Sequence, residues 1–334
     1  MMPHADLQSL ARSTATHPRM TLSLDPIAIP RFPVEFAAPD LRAWRDGNTS
    51  TQGVTTFASD TPGPHVMIVA LMHGNEIAGA IVLDELFHRH ITPARGTLTL
   101  ALANLAAFDR FDPAQPTASR FIDEDLNRVW DPAVLDGSRR SLELDRAREL
   151  RPLVETVDHL VDLHSMLWPS DPLILSGASP KGRHLAQALG TPPLVVADRG
   201  HQTGPRLIDY PRFADETTTP AACLVEAGQH WQTATIDVMR TAVEALLRHT
   251  GLASETANIP EGRCAEVTMA VTATTSNFAF VKPYRGGDIV PLRNTLIALD
   301  GETEIRTPHD DCLLVMPSLR ASRGHTAVRL ARFT

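Results

Sequence analysis

The stretch His65-Val66-Met67-Ile68-Val69-Ala70, continued by Leu71-Met72-His73-Gly74-Asn75-Glu76, decides the fold. Its apolar part, residues 66–72, runs without alternation, which is typical of a central strand covered on both faces. After Glu76 the apolar residues recur in pairs four apart as far as Phe87, and this spacing places them on one wide face of a helix. The stretch therefore predicts a buried strand, a polar loop that carries His73 and Glu76, and a helix.

The rest of the chain repeats this alternation of strands and helices. We expect strands at 54–58, 97–102, 160–164, 173–175, 194–197 and 222–225, and helices at 139–157, 181–189 and 233–250. Such alternation predicts an α/β fold with a doubly wound, mostly parallel sheet. After about residue 255 the chain becomes rich in Thr and Val, and it shows no good helical pattern. The predicted organisation is an N-terminal arm, partly disordered, at 1–30, an α/β domain with the zinc hydrolase site at 31–255, and a small all-β domain at 256–334.

Composition limits the classes of function. The 334 residues are 43% hydrophobic and 21% charged, as in ordinary globular proteins, and the net charge of −8 provides no basic field for nucleic acid. No apolar run approaches the roughly 20 residues that cross a bilayer, and the N-terminus lacks the apolar core of a signal peptide. The three cysteines are far apart in sequence and suggest no paired metal-binding spacing. We expect a cytoplasmic protein without membrane or nucleic-acid partners.

Four residues with metal or acid–base chemistry follow three different predicted strands. His73 and Glu76 follow the first, His164 ends another, and Glu226 ends a third. Because ligands bind outside the carboxyl ends of parallel strands, these side chains can meet in one crevice. A catalytic zinc needs three protein ligands and an open position, and a second carboxylate can then move the proton. Asp162, on the same strand face as His164, either orients that imidazole or is an ordinary polar residue near a strand end.

A charged loop lies between the first ligand pair and His164. It contains Arg120 and the run Asp125-Leu126-Asn127-Arg128. The planar guanidinium of Arg128 suits a substrate carboxylate or the oxyanion of a tetrahedral intermediate, and Arg120 or Asn127 could share these tasks. Solvated surface is the alternative reading of such a loop.

Taken together, these motifs resemble those of the aspartoacylase and succinylglutamate desuccinylase family, which are relatives of the zinc carboxypeptidases. The motifs are His73-Gly74-Asn75-Glu76, Arg120 through Arg128, Asp162-Leu163-His164 and Glu226-Ala227-Gly228, in this order. The resemblance covers about residues 60–330. It implies a carboxypeptidase-like α/β domain, a C-terminal β domain that shapes the entrance, one zinc per chain, and hydrolysis of the amide bond in an N-acylated amino acid.

The resemblance also implies a role for each matching position. His73, Glu76 and His164 would bind the zinc, and Glu226 would be the general acid/base. Arg120 would lie near the scissile carbonyl. The expected contacts to the rest of the substrate are Asn127, Arg128 and Asn104.

Two departures from the family pattern bear on specificity. Leu71-Met72 stands where the family commonly has a glycine-rich pair, so we expect a different backbone beside the metal. Members specific for N-acetylaspartate carry another arginine shortly before the catalytic glutamate, and here Asp215-Glu216-Thr217-Thr218-Thr219 fills that region. Arg206 or Arg212 could replace it if the loop is rearranged. The Asp215-Glu216 pair could instead favour a cationic side chain or simply be solvated.

The function predicted from the sequence is that of a zinc-dependent amidohydrolase acting on a small N-acyl amino acid. Two alternatives stay open at this point: a carboxypeptidase-like peptidase acting on small peptides, and a non-catalytic small-molecule binding protein on the same fold. A homo-oligomer is compatible with each of these three functions.

Overall fold

The computed structural model describes residues 32–200, 203–254 and 260–334. The predicted N-terminal arm at 1–30 and the predicted boundary near residue 255 lie outside these ranges. The strands are β1 (Val54–Ala58), β2 (His65–Ala70), β3 (Thr97–Leu102), β4 (His159–Met166), β5 (Leu173–Leu175), β6 (Leu194–Ala197), β7 (Ala221–Gln229), β8 (Arg263–Thr272), β9 (Phe278–Phe280), β10 (Ile289–Val290), β11 (Leu296–Asp300), β12 (Thr303–Arg306), β13 (Cys312–Val315) and β14 (Thr326–Phe333). The α-helices are α1 (Ile77–His88), α2 (Leu105–Phe108), α3 (Pro132–Leu135), α4 (Leu142–Val154), α5 (Pro180–Leu189), α6 (Pro211–Ala214) and α7 (Thr233–His249).

One large mixed sheet organises the described residues. It has eleven strands in the order β1-β3-β2-β4-β7-β5-β6-β8-β14-β13-β10. The block β3-β2-β4-β7 is parallel, whereas β5 runs antiparallel to β7. The strand predicted from the opening stretch, β2, is flanked by β3 and β4, as a continuous apolar run requires.

Helices cover both faces of the sheet, which confirms the doubly wound α/β class. On one face α1, α5 and α7 pack their apolar stripes into a single core with the strands, through residues such as Leu83, Leu185 and Leu246. The other face is covered by α4 and by the segment around Trp130. The loops that carry the candidate metal ligands follow strands of this sheet. Because helices pack on both faces of the sheet, the backbones of these loops are supported from both sides.

The C-terminal strands form two groups. Strand β8 pairs in parallel with β6, and β14, β13 and β10 follow it, so these strands extend the large sheet. Strands β12, β11 and β9 form a separate three-stranded antiparallel sheet. Residues 260–334 contain no helix, as predicted. Pairing with β8 covers β6, whose backbone groups would otherwise lie at an open sheet edge.

No helix among the described residues is long and apolar enough to cross a membrane. The three cysteines, Cys223, Cys264 and Cys312, are buried and free. They behave as small apolar side chains in the core.

Candidate metal centre and active site

Three buried side chains meet at the carboxyl ends of β2 and β4. The donor atoms of His73, Glu76 and His164 all lie within 4.8 Å of one another, and each side chain is at most 4% exposed. Nδ1 of His73 lies 2.7 Å from one carboxylate oxygen of Glu76, and Nδ1 of His164 lies 3.0 Å from the other. Two imidazoles and a carboxylate are a donor set that zinc takes in catalytic sites. The residues present therefore fit the metal that the sequence predicts.

The outer nitrogen of each imidazole faces an aspartate. Nε2 of His73 lies 2.9 Å from Oδ1 of Asp125, and Nε2 of His164 lies 2.8 Å from Oδ2 of Asp162. A carboxylate behind a metal-binding histidine fixes the ring and makes the inner nitrogen a better donor. Of the two readings of Asp162, the geometry favours the orienting one.

Local backbone features hold Glu76 in place. The register of β4 against β7 shifts between His164 and Met166, and the backbone N–H of Ser165 donates to Oε2 of Glu76 at 3.0 Å. A bulge beside a site commonly re-aims backbone groups in this way. Burial alone would raise the pKa of Glu76, but the charges of His73 and His164 outweigh it and hold the pKa well below its usual range. The carboxylate is thus kept ionised, as a metal ligand must be.

The loop between β2 and α1 is tightly constrained. Leu71 is fully buried and has a φ of 58°, in the left-handed region that leucine rarely adopts. A Cβ atom at Gly74 would lie 2.4 Å from the backbone of Ala107 and Phe108. Only glycine fits at this second position, which explains the glycine between the two ligands.

Glu226 lies opposite His164 on the neighbouring strand β7. Strand β7 continues to Gln229, so Glu226 lies within the strand, three residues before its end, rather than at the end that the sequence predicted. Its Oε2 atom is buried without a hydrogen-bond partner among the described residues. Burial raises the pKa of its carboxyl to about 8, although His164 and Arg120 oppose the shift. A carboxyl with a pKa near neutrality can both accept and donate a proton.

One cavity of about 660 Å³ borders the metal centre. Its wall includes the three candidate ligands, Glu226 and residues from the C-terminal strands. Arg120, Asn127 and Arg128 line it as well. A cavity of this size suits a small molecule.

Comparisons with known proteins identify the family to which the motifs and the fold belong. The family model described as the succinylglutamate desuccinylase/aspartoacylase catalytic domain matches residues 62–250, more than half of the chain. The chain belongs to this family. The match contains the four motifs quoted from the sequence, which confirms the resemblance.

Single members of the succinylglutamate desuccinylase/aspartoacylase family are more distant. A probable aspartoacylase of Parasynechococcus marenigrum is 36% identical over 86 residues, which are 25% of this chain and only 26% of that relative. The succinylglutamate desuccinylase of Vibrio parahaemolyticus matches in structure with a TM-score of 0.65 at 17% identity, covering 84% of this chain and 86% of the other. A succinylglutamate desuccinylase/aspartoacylase of Rhodobacter sphaeroides gives 0.63 at 17%, with 84% and 88% covered. These structures share the fold.

The structure brings three of the predicted substrate residues to the metal side of the cavity. Arg120 lies within 3.3 Å of Oε1 of Glu76 and donates to Oδ2 of Asp125 at 3.2 Å. Asn127 is held by the backbone N–H of Leu207, which donates to its Oδ1 at 2.8 Å. Arg128 is largely buried, and burial lowers the pKa of its guanidinium to about 10.

The other two predicted substrate residues have different surroundings. Arg206 reaches the cavity wall, but its side chain is 1% exposed and donates to both Asp198 and Asp209. Asn104 is not brought to the wall. Its Oδ1 caps α2 by accepting from Ala107, and its Nδ2 donates to Glu143 at 3.1 Å.

Several residues of the wall were not predicted as site residues. Asp125 stands inside a quoted motif but was given no role. His230 is buried beside the metal centre, where it pairs with Ser165 at 2.7 Å. Arg329 lies on β14, and Met316 directly follows β13. A signal for Arg329 was present, since an arginine inside the apolar run Val328-Arg329-Leu330 demands a buried partner.

Proposed function

We propose that this protein is a zinc-dependent deacylase that hydrolyses the amide bond of a small N-acyl amino acid and releases a carboxylic acid and a free amine. One observation carries the proposal: His73, Glu76, His164 and Glu226 converge on a single small cavity. Family membership supports the reaction class, because the family is named for enzymes that remove acyl groups from amino acids.

The chain's own residues divide the work. When bound by the two imidazoles and Glu76, zinc supplies Lewis acidity, which polarises the scissile carbonyl and makes water a better nucleophile. Glu226 takes a proton from the attacking water and returns it to the leaving nitrogen, and its raised pKa suits both transfers. Arg120 stands beside Glu76, where its guanidinium can stabilise the oxyanion. Arg128 and Asn127 orient the substrate carboxylate.

Release of free amine from a panel of N-acetyl, N-formyl and N-succinyl amino acids tests this function. We expect turnover by the zinc-loaded protein, loss of turnover after chelation, and recovery when zinc is restored. A purified protein that binds no divalent metal, or that cleaves only dipeptides, would overturn the proposal.

Replacing the proton carrier tests the mechanism. Glu226→Gln keeps the shape of the side chain but cannot take up a proton. Turnover should therefore fall by about 10²–10⁴-fold, the usual contribution of general acid–base catalysis. Metal content should not change, because Glu226 is outside the ligand set. Glu244→Gln, on the exposed side of α7, is the matched control. Near-normal turnover by Glu226→Gln would refute the assignment.

A further inference from the structure

His230 is a buried histidine at the wall of the cavity, outside the candidate ligand set. It directly follows β7, and its backbone N–H donates to the carbonyl oxygen of Met166 at 2.9 Å. Nδ1 of its ring lies 2.7 Å from the hydroxyl oxygen of Ser165. Both contacts are made to the end of β4, so they hold the imidazole in one orientation beside the metal centre.

The contact with Ser165 decides which ring nitrogen carries the proton. Among the described residues, the hydroxyl group of Ser165 has no hydrogen-bond partner other than Nδ1 of His230. If Nδ1 donated this bond, the hydroxyl proton of Ser165 would be buried without an acceptor, which is costly. Ser165 therefore donates and Nδ1 accepts. A neutral imidazole has one ring proton, which must then be on Nε2.

The charges around the ring place it on one side of the metal centre. Burial lowers the pKa of His230 to about 4, Glu76 opposes this shift, and Arg120 adds to it. The imidazole is therefore neutral at physiological pH, and it lies close enough to Glu76 and Arg120 to be affected by both charges. The proposed mechanism puts the oxyanion on this side, where the guanidinium of Arg120 lies 3.3 Å from Glu76.

The Nε2–H group of His230 is left for a ligand. Within residues 32–200, 203–254 and 260–334, no acceptor lies within hydrogen-bond distance of it. A buried donor without an acceptor is destabilising, so such groups in native proteins call for an explanation. Here the ring lines the cavity, so an acceptor atom of a bound molecule can complete the hydrogen bond.

We propose that His230 is a substrate-binding residue whose Nε2–H donates to the acyl oxygen of the substrate. The bond strengthens as negative charge develops on this oxygen, so His230 acts beside Arg120 in the transition state. The inference rests on the deacylase function proposed above, and it deepens that function by naming a second, uncharged donor for the same oxygen.

Two amide substitutions separate this role from a purely structural one. In His230→Gln the amide nitrogen reaches about the position of Nε2 and can still donate to the substrate. In His230→Asn the amide reaches only about the position of Nδ1, so it keeps a contact with Ser165 but offers no donor to the cavity. We expect kcat of His230→Asn to fall by about 10–100-fold, since loss of a main oxyanion donor costs about 10²–10³-fold and Arg120 remains.

The kinetic pattern decides between the two roles. KM of His230→Asn should change by less than about threefold, because the lost bond matters most in the transition state. His230→Gln should recover most of the lost kcat. The opposite order of the two variants, or equal values of kcat, would overturn the inference.

Zinc content and a second histidine provide the controls. Both His230 variants should bind zinc as the wild type does, because His230 is not a candidate ligand. His249→Asn, at the exposed end of α7, should leave kcat unchanged. Loss of zinc from both His230 variants would make the histidine a structural support of the metal centre and would overturn the inference.

Nitrogen NMR of the histidine rings tests the inference without turnover. Zinc-loaded Glu226→Gln protein, in which His230 is unchanged, is titrated with the same N-acetyl, N-formyl and N-succinyl amino acids. The His230 signal should show the Nε2–H tautomer and should shift when one of these compounds binds. The Nδ1–H tautomer, or a signal that none of the compounds shifts, would overturn the inference. If the wild type cleaves none of them, the deacylase function fails, while the NMR result still decides whether His230 donates to the bound molecule.

Discussion

Glu143 is a buried carboxylate that holds the loop carrying Arg120 and Asp125. Its Oε1 accepts the backbone N–H of Ile122 at 2.6 Å and the side-chain amide of Asn104 at 3.1 Å. Its Oε2 accepts the backbone N–H groups of Asp123 at 3.0 Å and Glu124 at 3.2 Å. Four donors thus converge on one side chain that is 1% exposed. We expect Glu143→Gln to displace this loop.

The size of the effect follows from the number of donors that lose an acceptor. Glutamine replaces one oxygen with an NH₂ group, so in either orientation two of the four donors face another donor. An unsatisfied buried donor costs about 1–3 kcal/mol, which gives about 2–6 kcal/mol if the loop stays in place. The loop is only partly buried and can turn these groups to water, so the free energy of unfolding should fall by an amount near the lower limit.

Activity should suffer more than stability. When the loop turns, Arg120 leaves the oxyanion and Asp125 leaves His73, and a misplacement of about 1 Å can cost about 10²-fold in rate. We expect kcat to fall by about that factor, with a smaller change in KM because Arg128 lies further along the chain.

Urea unfolding and steady-state kinetics on the same protein measure both effects. Glu149→Gln, on the same helix α4, is the control: its carboxylate is 60% exposed and pairs with Arg146, so the free energy of unfolding should stay within about 0.5 kcal/mol of the wild type. Glu143→Gln protein with wild-type kcat would refute the positioning role, even if its stability fell.

Three further variants probe other parts of the site and fold. Asp162→Asn should weaken zinc binding by about 10–100-fold in a chelator competition, the usual effect of losing a carboxylate behind a ligand; unchanged affinity would contradict the orienting role. Gly74→Ala should reduce metal content and stability, because its Cβ would collide with backbone; full zinc loading would contradict this. Burial would raise the pKa of Asp300, but hydrogen bonds from Thr274 and Thr275 lower it from 3.8 to about 2. A lowered pKa stabilises the fold above the unfolded-state value, so the stability advantage of the wild type over Asp300→Asn should shrink between about pH 4 and pH 2; a constant difference would contradict the assignment.

The α/β part of the fold could be predicted because its central strands are buried on both faces. Runs such as 97–102 and 194–197 agree with β3 and β6 residue for residue. The pairing of the C-terminal strands could not be predicted in the same way. Their pattern shows that one face is buried, but it does not show which strand lies beside them. Strand β8 pairs with β6, which is about 70 residues earlier in the chain, and covers the edge of the sheet there. A hydrophobic pattern within one segment does not predict which distant strand it will pair with.

The candidate metal ligands could be recognised because each motif is local and follows a strand. The surroundings of the arginines could not. Asp198 and Asp209 lie close to Arg206 in sequence, yet only the folded backbone shows that both carboxylates contact it. Asn104 illustrates the same limit, since its amide reaches the active-site loop through Glu143 rather than through the cavity.

The wall of the cavity combines two parts of the chain that contribute different properties. The metal centre is built by β2 and β4, whereas Arg329 comes from β14, which belongs to the C-terminal extension of the same sheet. Its contact with Asp198, directly after β6, joins this extension to the α/β part. Because no residue of β14 contributes a candidate ligand, substitutions there can change the charge that a substrate meets without changing the metal's donor set. In this chain the charge at the cavity wall and the donor set of the metal centre can therefore change independently.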